Sequence, residues 1–587
     1  MTATDRPLAA TDRPLAATDR PLAATGRPLR IGNFSGFYGD RFSALAEMLA
    51  GGELDVLAGD YLAELTMLIL GRDRQRDATL GYAKTFLRQL EPCLAGAVER
   101  GVRIVTNAGG LNPAGLAAAI GALADRLDLQ VRVGYVEGDD LISEAARLGF
   151  GNPLAANAYL GGWGIAACLR AGADIVVTGR VTDASLVLGP AAAHFGWSAT
   201  DYDALAGAVV GGHLIECGAQ VTGGNYAFFT ELADLNQPGF PIAEVHADGS
   251  AVITKHPGTG GAVTVGTVTA QLLYEIAGGR YAGPDVTARL DRVTLRQDGP
   301  DRVLVSGATG EPAPPRYKVG LNSLDGFRNE VQFVLTGLDI DGKAALVREQ
   351  LSRALPADAE WTLRRTDRPD AETEATASAT LSCVVRGADP DAIGRRFSDA
   401  AVGLALASYP GFHLTAPPGS AQPCGVFRTG WLDPEQLCQV AVLPDGHRQQ
   451  IPAGAEHREL AELPEPAVPA WHPSQAGTRR VPLGELVGAR SGDKGGSANL
   501  GLWVRDAAAY PWLVDTLTVL RLRQLLPELA ELPIQRHLLP NLLAVNFVVR
   551  DLLGLGVGYA ARFDPQAKAL GEWLRCRLLD VPVELLR

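Results

Sequence analysis

The chain predicts an α/β protein: a mostly parallel sheet flanked by helices in its N-terminal part, then α+β ferredoxin-like units that include a separate C-terminal domain. Three observations predict this. Short β-branched runs alternate with helical patterns from Arg30 onward. A strand, helix, strand, strand, helix order begins near residue 330. A Pro/Glu-rich stretch, 461–480, then sets off the C-terminal segment.

The elements justify the reading in order. Residues 1–28 repeat "ATDRPLA" every seven residues, but each copy carries a proline and one leucine. That composition breaks a helix and reads as a disordered tail, not a coiled coil. An α/β domain is expected over 29–460, with subdivisions near 200 and 330. Its first strands are "LRIGNFSG", "LDVLAGD", "VRIVTNAGG", "VRVGYVEGDD" and "ADIVVTGRVTD", separated by helices such as "FSALAEML" and "PAGLAAAIGALADRL". Such βαβ alternation builds a parallel sheet, and ligands bind outside the carboxyl ends of its strands. The polar residues collected there are Asn33, Ser35, Asp60, Asn107, Asn112, Glu137, Asp139, Asp140, Thr178, Arg180, Thr182 and Asp183. Five polar strand ends in succession predict one lined cleft. From about 330, "VQFVLTG", "DGKAALVREQLSRAL", "WTLRRT", "ATLSCVVRG" and "AIGRRFSDAAVGLALAS" fit a ferredoxin-like unit. Residues 461–480 read as a linker, and 481–587 as a small α+β domain.

Composition excludes several classes. The net charge of −13 argues against a general nucleic-acid surface. No apolar run reaches membrane-spanning length, and no basic-then-apolar signal opens the chain. The seven cysteines are scattered without a CxxC pair, which predicts free thiols and a cytoplasmic protein. The nine histidines are equally dispersed. Lysine is rare: only residues 84, 255, 318, 343, 494 and 568. Arginine cannot replace lysine in proton transfer, so a lysine within a glycine loop carries information.

Two lysines sit in such loops. "KHPGTGGAV" offers Lys255, His256 and the glycines Gly258, Gly260 and Gly261 ahead of a helical pattern. Glycine-exposed N–H groups, a helix N-terminus and a cation suit an oxyanion, whether diphosphate, carboxylate or thioester. A tight glycine hairpin with a solvated lysine is the bland reading of the same letters. "RSGDKGGSAN" presents Asp493 and Lys494, either as an ion pair bracing a turn or as groups entering a neighbouring site. "GTGGAV" lacks the third small residue of a dinucleotide fingerprint, and no Walker, GxSxG or HExxH motif is present. "VEGDD" crowds three acids, which raises at least one pKa, although Asp139 and Asp140 also stand where helix caps stand. Arg180 reads as an anion clamp and Asp183 as acid, base or cap. Cys217 beside Glu216 reads as a nucleophile or as an ordinary buried thiol.

The motifs "RIGNFSGFYGDR", "DVLAGDYLAELTM", "VTNAGGLNPAGL", "NAYLGGWGIA", "VTGRVTDASLV", "HLIECGAQVTGGNYAFF" and "RSGDKGGSANLGLW" resemble the acyclic terpene utilization (AtuA) family over about residues 30–587. The resemblance implies a large family domain followed by an AtuA-like ferredoxin-fold domain. It also implies a role in citronellol and geraniol breakdown, acting on a branched or terpenoid acyl-CoA, with 3-hydroxyacyl-CoA lyase or hydratase as the suggested activity. It brings no catalytic assignment, so the site residues come from the strand-end argument. Retro-aldol cleavage needs a base and an electrophile for the enolate oxygen. The bases are Asp60, Glu137 and Asp183; the electrophiles are Arg180, Lys255 with His256, and the backbone of Gly258–Gly261. Asn107, Asn112, Asp493 and Lys494 are expected to bind substrate. No cofactor is required by a motif, and a divalent Mg or Mn ion held by the acids would replace the cations. Other readings are a non-catalytic partner of an acyl-CoA carboxylase, or an enzyme on a carboxylated non-CoA substrate of specialised metabolism. A homo-oligomer is the expected assembly.

Overall fold

The computed structural model describes residues 26–352, 354–355, 359–454, 456–473 and 475–586. The heptad tail up to residue 25 lies outside the described residues. The chain divides into two compact units. One comprises the residues up to Leu321 with Arg428–Leu553 and Gln566–Arg587, and the other Asn322–Phe427 with Gly554–Pro565.

The larger unit is built on an 11-stranded sheet. Its centre holds β1 (Leu29–Ser35), β2 (Val56–Gly59), β3 (Arg103–Thr106) and β4 (Val133–Glu137). After the short β5 (Ala155–Ala158), which lies outside this sheet, comes β6 (Ile175–Thr178). β1, β2, β3, β6 and β4 lie side by side in that order, all parallel. The chain therefore passes over one strand position after β3 and returns to fill it with β6. β2 and β6 are buried at every position, as expected for strands covered on both faces.

Antiparallel strands extend both edges. β7 (Pro241–Val245) and β8 (Ala251–Lys255) follow β1, then Val303–Ser306 and Thr294–Gln297. Gln439–Val442 and Arg448–Ile451 continue from β4. The sheet as a whole is thus mixed rather than mostly parallel. The five parallel strands are the ones linked through helices, and hairpins supply the antiparallel additions. After Asp139 and Asp140, which stand where helix caps stand, comes only a three-residue turn, Ile142–Glu144, where Asp140 Oδ1 accepts the Ile142 N–H at 3.0 Å.

Residues 481–553 and 566–586 pack within this larger unit. They form a four-stranded antiparallel sheet ordered Val487–Lys494, Ser497–Val504, Ala544–Val549, Ile534–Leu539. The segment 461–477 carries no helix or strand among its described residues.

The second unit runs strand, helix Ile340–Leu351, strand Glu360–Arg364, strand Ser378–Gly387, helix, strand. Its antiparallel strands have the spatial order second, third, first, fourth. That is ferredoxin-like topology.

Gly59 ends β2 under the ring of buried Phe34, where an added Cβ would stand 2.3 Å from the ring. Gly59→Ala is expected to cost about 1–3 kcal/mol by overpacking. A clear fall in the thermal midpoint would register it, and an unchanged midpoint would contradict the close packing.

Candidate active site

The carboxyl ends of the parallel strands project their polar residues to one edge. Asp60, directly after β2, is buried, and its Oδ1 accepts from Leu62 N at 3.0 Å and Asn107 Nδ2 at 2.7 Å. Asn107, after β3, is fixed in return by the Tyr61 N–H at 2.8 Å. Arg180, after β6, donates from Nη1 to Leu62 O at 3.0 Å and to Asp183 Oδ1 at 2.8 Å. Its backbone N–H donates to Asp139 Oδ2 at 2.8 Å, and that same oxygen accepts from Asn157 Nδ2 at 2.8 Å. Gly179 makes this approach feasible, since a Cβ there would lie 2.3 Å from the Asp139 carboxylate. Asp139 therefore holds the β6 turn, while Asp140 turns to an ion pair with Arg74.

A second set of groups comes from more distant parts of the chain. Backbone pairing sets Tyr159 between Lys318 and the Arg180 turn: Tyr159 N–H donates to Lys318 O at 2.9 Å, and Leu160 N–H to Arg180 O at 3.1 Å. The Arg180 guanidinium lies 4.3 Å and the Lys318 ammonium 4.5 Å from the Tyr159 ring centroid. Such cation–π contacts stabilise charge away from bulk water. Glu216 ends the helix Tyr202–Ile215, and its Oε1 lies 3.0 Å from His213 Nδ1, while Oε2 has no hydrogen-bond partner among the described residues.

The hairpin Val487–Lys494/Ser497–Val504 closes through Gly495 and Gly496, with Gly495 at φ +64°. This two-residue turn presents Lys494 at its tip. Lys494 Nζ donates to Glu275 O at 2.6 Å, and Asn499 Oδ1 accepts the Glu275 N–H at 2.9 Å. These two bonds clamp Glu275 at φ +56°, a left-handed conformation costing a non-glycine residue about 1–3 kcal/mol.

These groups act on one another. Burial, then the Asp183 charge, pushes the Asp60 carboxyl well above the usual range against the pull of Arg180. Burial, then Asp183 and Glu275, does the same to Glu216. Burial and Asp493 raise Glu275, and burial raises Glu64. Burial would lower Arg180, but Asp183, Tyr159 and Asp60 outweigh it and hold the guanidinium charged. Burial brings His213 down to about 4, so the imidazole beside Glu216 is neutral. Burial and neighbouring Lys318 lower Lys494. Lys318, Glu64, Asp183 and Glu275 are half-buried, and Lys494 is exposed at the hairpin tip.

Other sequence-derived candidates lie elsewhere. Glu137 pairs with Arg448 at 2.7 Å, an ion pair open to solvent. Asn112 is a helix cap: its Oδ1 accepts the Gly115 N–H at 2.9 Å at the start of Pro113–Arg126. Lys255 binds its own loop at Thr259 O (2.7 Å) and Asp301 (3.0 Å). His256 Nε2 lies 3.0 Å from Met48 O, its ring against Gly51. Within the glycine loop, Gly258 and Gly261 take positive φ, Gly260 packs on the Asp234 carbonyl, and the Gly261, Ala262 and Val263 N–H groups all donate within the protein. Thr264 caps the following helix, Val265–Leu272. Folding consumes these donors, so the loop is packing rather than an anion cradle.

Asp60, Asn107, Arg180, Asp183, Asp493 and Lys494 are the candidates that share one electrostatic neighbourhood. Sequence reasoning missed Glu64, Tyr159, Glu275 and Lys318 as site members. The scarcity of lysine marked Lys318 as well, but it lies on a strand outside any glycine loop. Among the described residues no group of three His, Cys, Asp or Glu side chains is arranged to hold a metal ion. No helix there is long and apolar enough to cross a membrane.

Fold and site together define an α/β protein with a cluster of interacting ionisable groups at the carboxyl edge of a parallel sheet core, joined there by a hairpin from its C-terminal sheet. The chain belongs to the acyclic terpene utilisation family AtuA, whose family model matches residues 29–443; the AtuA ferredoxin-like domain matches residues 481–580. No curated protein and no solved structure matches the chain.

Asp139, pushed up to about 7 by burial, binds its proton more tightly folded than unfolded. The stability this contributes is full below the ordinary carboxylate pKa and is lost as pH rises through about 7. Relative to wild type, Asp139→Asn is therefore expected to gain thermal midpoint between about pH 4 and about pH 8. A constant difference across that range would contradict the raised pKa.

Proposed function

We propose that the protein is an enzyme of proton transfer at a carbonyl-activated carbon, cleaving or hydrating a branched or terpenoid acyl-CoA. The family's tie to acyclic terpene utilisation supports the substrate class. The observation that carries the reading is the gathering of Asp60, Asp183, Glu216 and Glu275 with Arg180, Lys318 and Lys494 in one mutually interacting cluster. Stability alone does not favour so many enclosed charges, because each must be desolvated. Catalysis does favour carboxyls of raised proton affinity, such as Asp60, Glu216 and Glu275, beside fixed cations, since such groups both hold and deliver a proton.

In the lyase direction a carboxylate, Asp60 or Glu216, takes the proton of the 3-hydroxyl group. The carbon–carbon bond breaks and its electron pair passes to the thioester carbonyl. Arg180, Lys318 and the Tyr159 hydroxyl are the groups suited to the enolate oxygen. A protonated carboxyl then returns a proton to carbon. Neutral His213 fixes the orientation of the Glu216 carboxyl through their 3.0 Å contact.

The test is mass spectrometry of mixtures with 3-hydroxy-3-methylglutaryl-CoA and its longer isohexenyl analogue, run in heavy water. Wild type is expected to cleave or dehydrate one of them, or to exchange its α-hydrogens. Asp60→Asn and Glu216→Gln are each expected to lose about 10²–10⁴ in rate. Intact, unexchanged substrate with folded wild-type protein would refute the reading.

A further inference from the structure

We propose that Arg490 is a carboxylate-binding residue, and that the molecule bound by the larger unit carries a free carboxylate that docks on its guanidinium. The site is argued from Arg490 and its contacts. Its part in holding the substrate rests on the proton-transfer reading.

Three arginines are buried among the described residues: Arg180, Arg386 and Arg490. Arg180 pairs with Asp183 at 2.8 Å, and Arg386 pairs with Glu360. Arg490, only 6% exposed, has no carboxylate partner among the described residues. Its Nη2 donates to Gln220 Oε1, a neutral amide oxygen, and its guanidinium carbon lies 4.2 Å from the Tyr274 ring centroid. The Nε and Nη1 N–H groups have no hydrogen-bond partner there, and neither atom is sealed from solvent. A guanidinium withdrawn from water is costly unless an opposite charge answers it. A ring face and an amide dipole answer it in part and leave donors directed at an opening. An anion completes such a site.

The strand sets the geometry. In Val487–Lys494 the Ser491 hydroxyl donates to Lys568 O at 3.1 Å and accepts the Gly571 N–H at 3.0 Å. Arg490, Gly492 and Lys494 therefore share the opposite face. Gly492 is what lets Tyr274 lie against the strand beside Arg490, since a Cβ there would stand 2.3 Å from the ring. Lys494, the next cation on that face, is about 13 Å along the strand. One guanidinium with no second cation on that strand face nearby balances a single negative charge, which fits a carboxylate better than a phosphate dianion. Tyr274 directly precedes Glu275, and Gln220 follows Glu216 by four residues. The segments that hold Arg490 are thus those that carry two of the acids, and the substrate is narrowed to one with a free carboxylate besides its reacting carbonyl.

The test is a ligand-observed NMR titration of the full-length protein. Monomethyl glutarate has one free carboxylate, and dimethyl glutarate has none. Wild type is expected to bind the first and not the second. Arg490→Met is expected to weaken that binding by about tenfold or more. Gln220→Glu keeps the side chain's shape and supplies the guanidinium with an internal carboxylate. It is expected to weaken binding similarly while raising the thermal midpoint. No binding, equal binding of the two esters, or undiminished affinity in Arg490→Met overturns the proposal. So does binding of inorganic phosphate in place of the carboxylate. Thioester turnover separates the two readings: carboxylate binding without turnover keeps the Arg490 site and removes the acyl-CoA reaction. Turnover with no carboxylate binding removes the Arg490 site alone.

Discussion

Arg180 is the residue around which the site is organised, because carboxylates hold it at two points. Its backbone N–H rests on Asp139 and its guanidinium on Asp183, with Leu62 O taking a further bond. A cation this deep is tolerable only where its donors are satisfied and its charge is answered. Asp139, itself nearly free of solvent, can face that N–H only because residue 179 has no side chain. The β6 turn, the Tyr159 segment paired to it and the Asp60–Asn107 bond all depend on this arrangement.

The charge balance extends outward from there. Asp60 and Asp183 repel each other across Arg180, and Glu216 and Glu275 add to the negative potential that Lys318 and Lys494 offset. Burial and these charges hold the carboxyls of Asp60, Glu216 and Glu275 above the usual carboxylate range, and lower the Lys494 ammonium below that of a surface lysine. These are two sides of one condition: enclosed charges in contact shift one another's proton affinities. The strained backbone of Glu275 belongs to the same balance, since the hairpin bonds that impose it also bring Lys494 to the acids.

Two glycine loops show where reading by letters stops. "KHPGTGGAV" and "RSGDKGGSAN" each carry a lysine among glycines. In the first, Asp301 and Thr259 satisfy the lysine and Asp234, Thr222 and Asp301 take the N–H groups. In the second, a two-residue turn leaves the lysine at a hairpin tip, where it donates to the Glu275 carbonyl. The difference lies in which distant residues come to meet each loop, and local composition does not encode that. Tyr159 and Lys318 were obscured for the same reason: Tyr159, just after β5, and Lys318, on the strand Tyr317–Thr336, meet only when those strands pair.

What the sequence determined by itself is the local architecture and its chemistry-bearing edge. Alternating β-branched and helical runs place Asp60, Asn107 and Arg180 after successive strands, because parallel strands joined by helices all end on one side. The second unit's ferredoxin-like order was equally legible, since it follows from elements in sequence. Tertiary structure alone decided that antiparallel strands flank the parallel core, that Glu137 and Asn112 turn to structural partners, and that Lys494 and Glu275 meet across more than two hundred residues. The physical reason is that burial and charge pairing are sums over neighbours from the whole unit, whereas periodicity and turn chemistry are properties of a few adjacent residues.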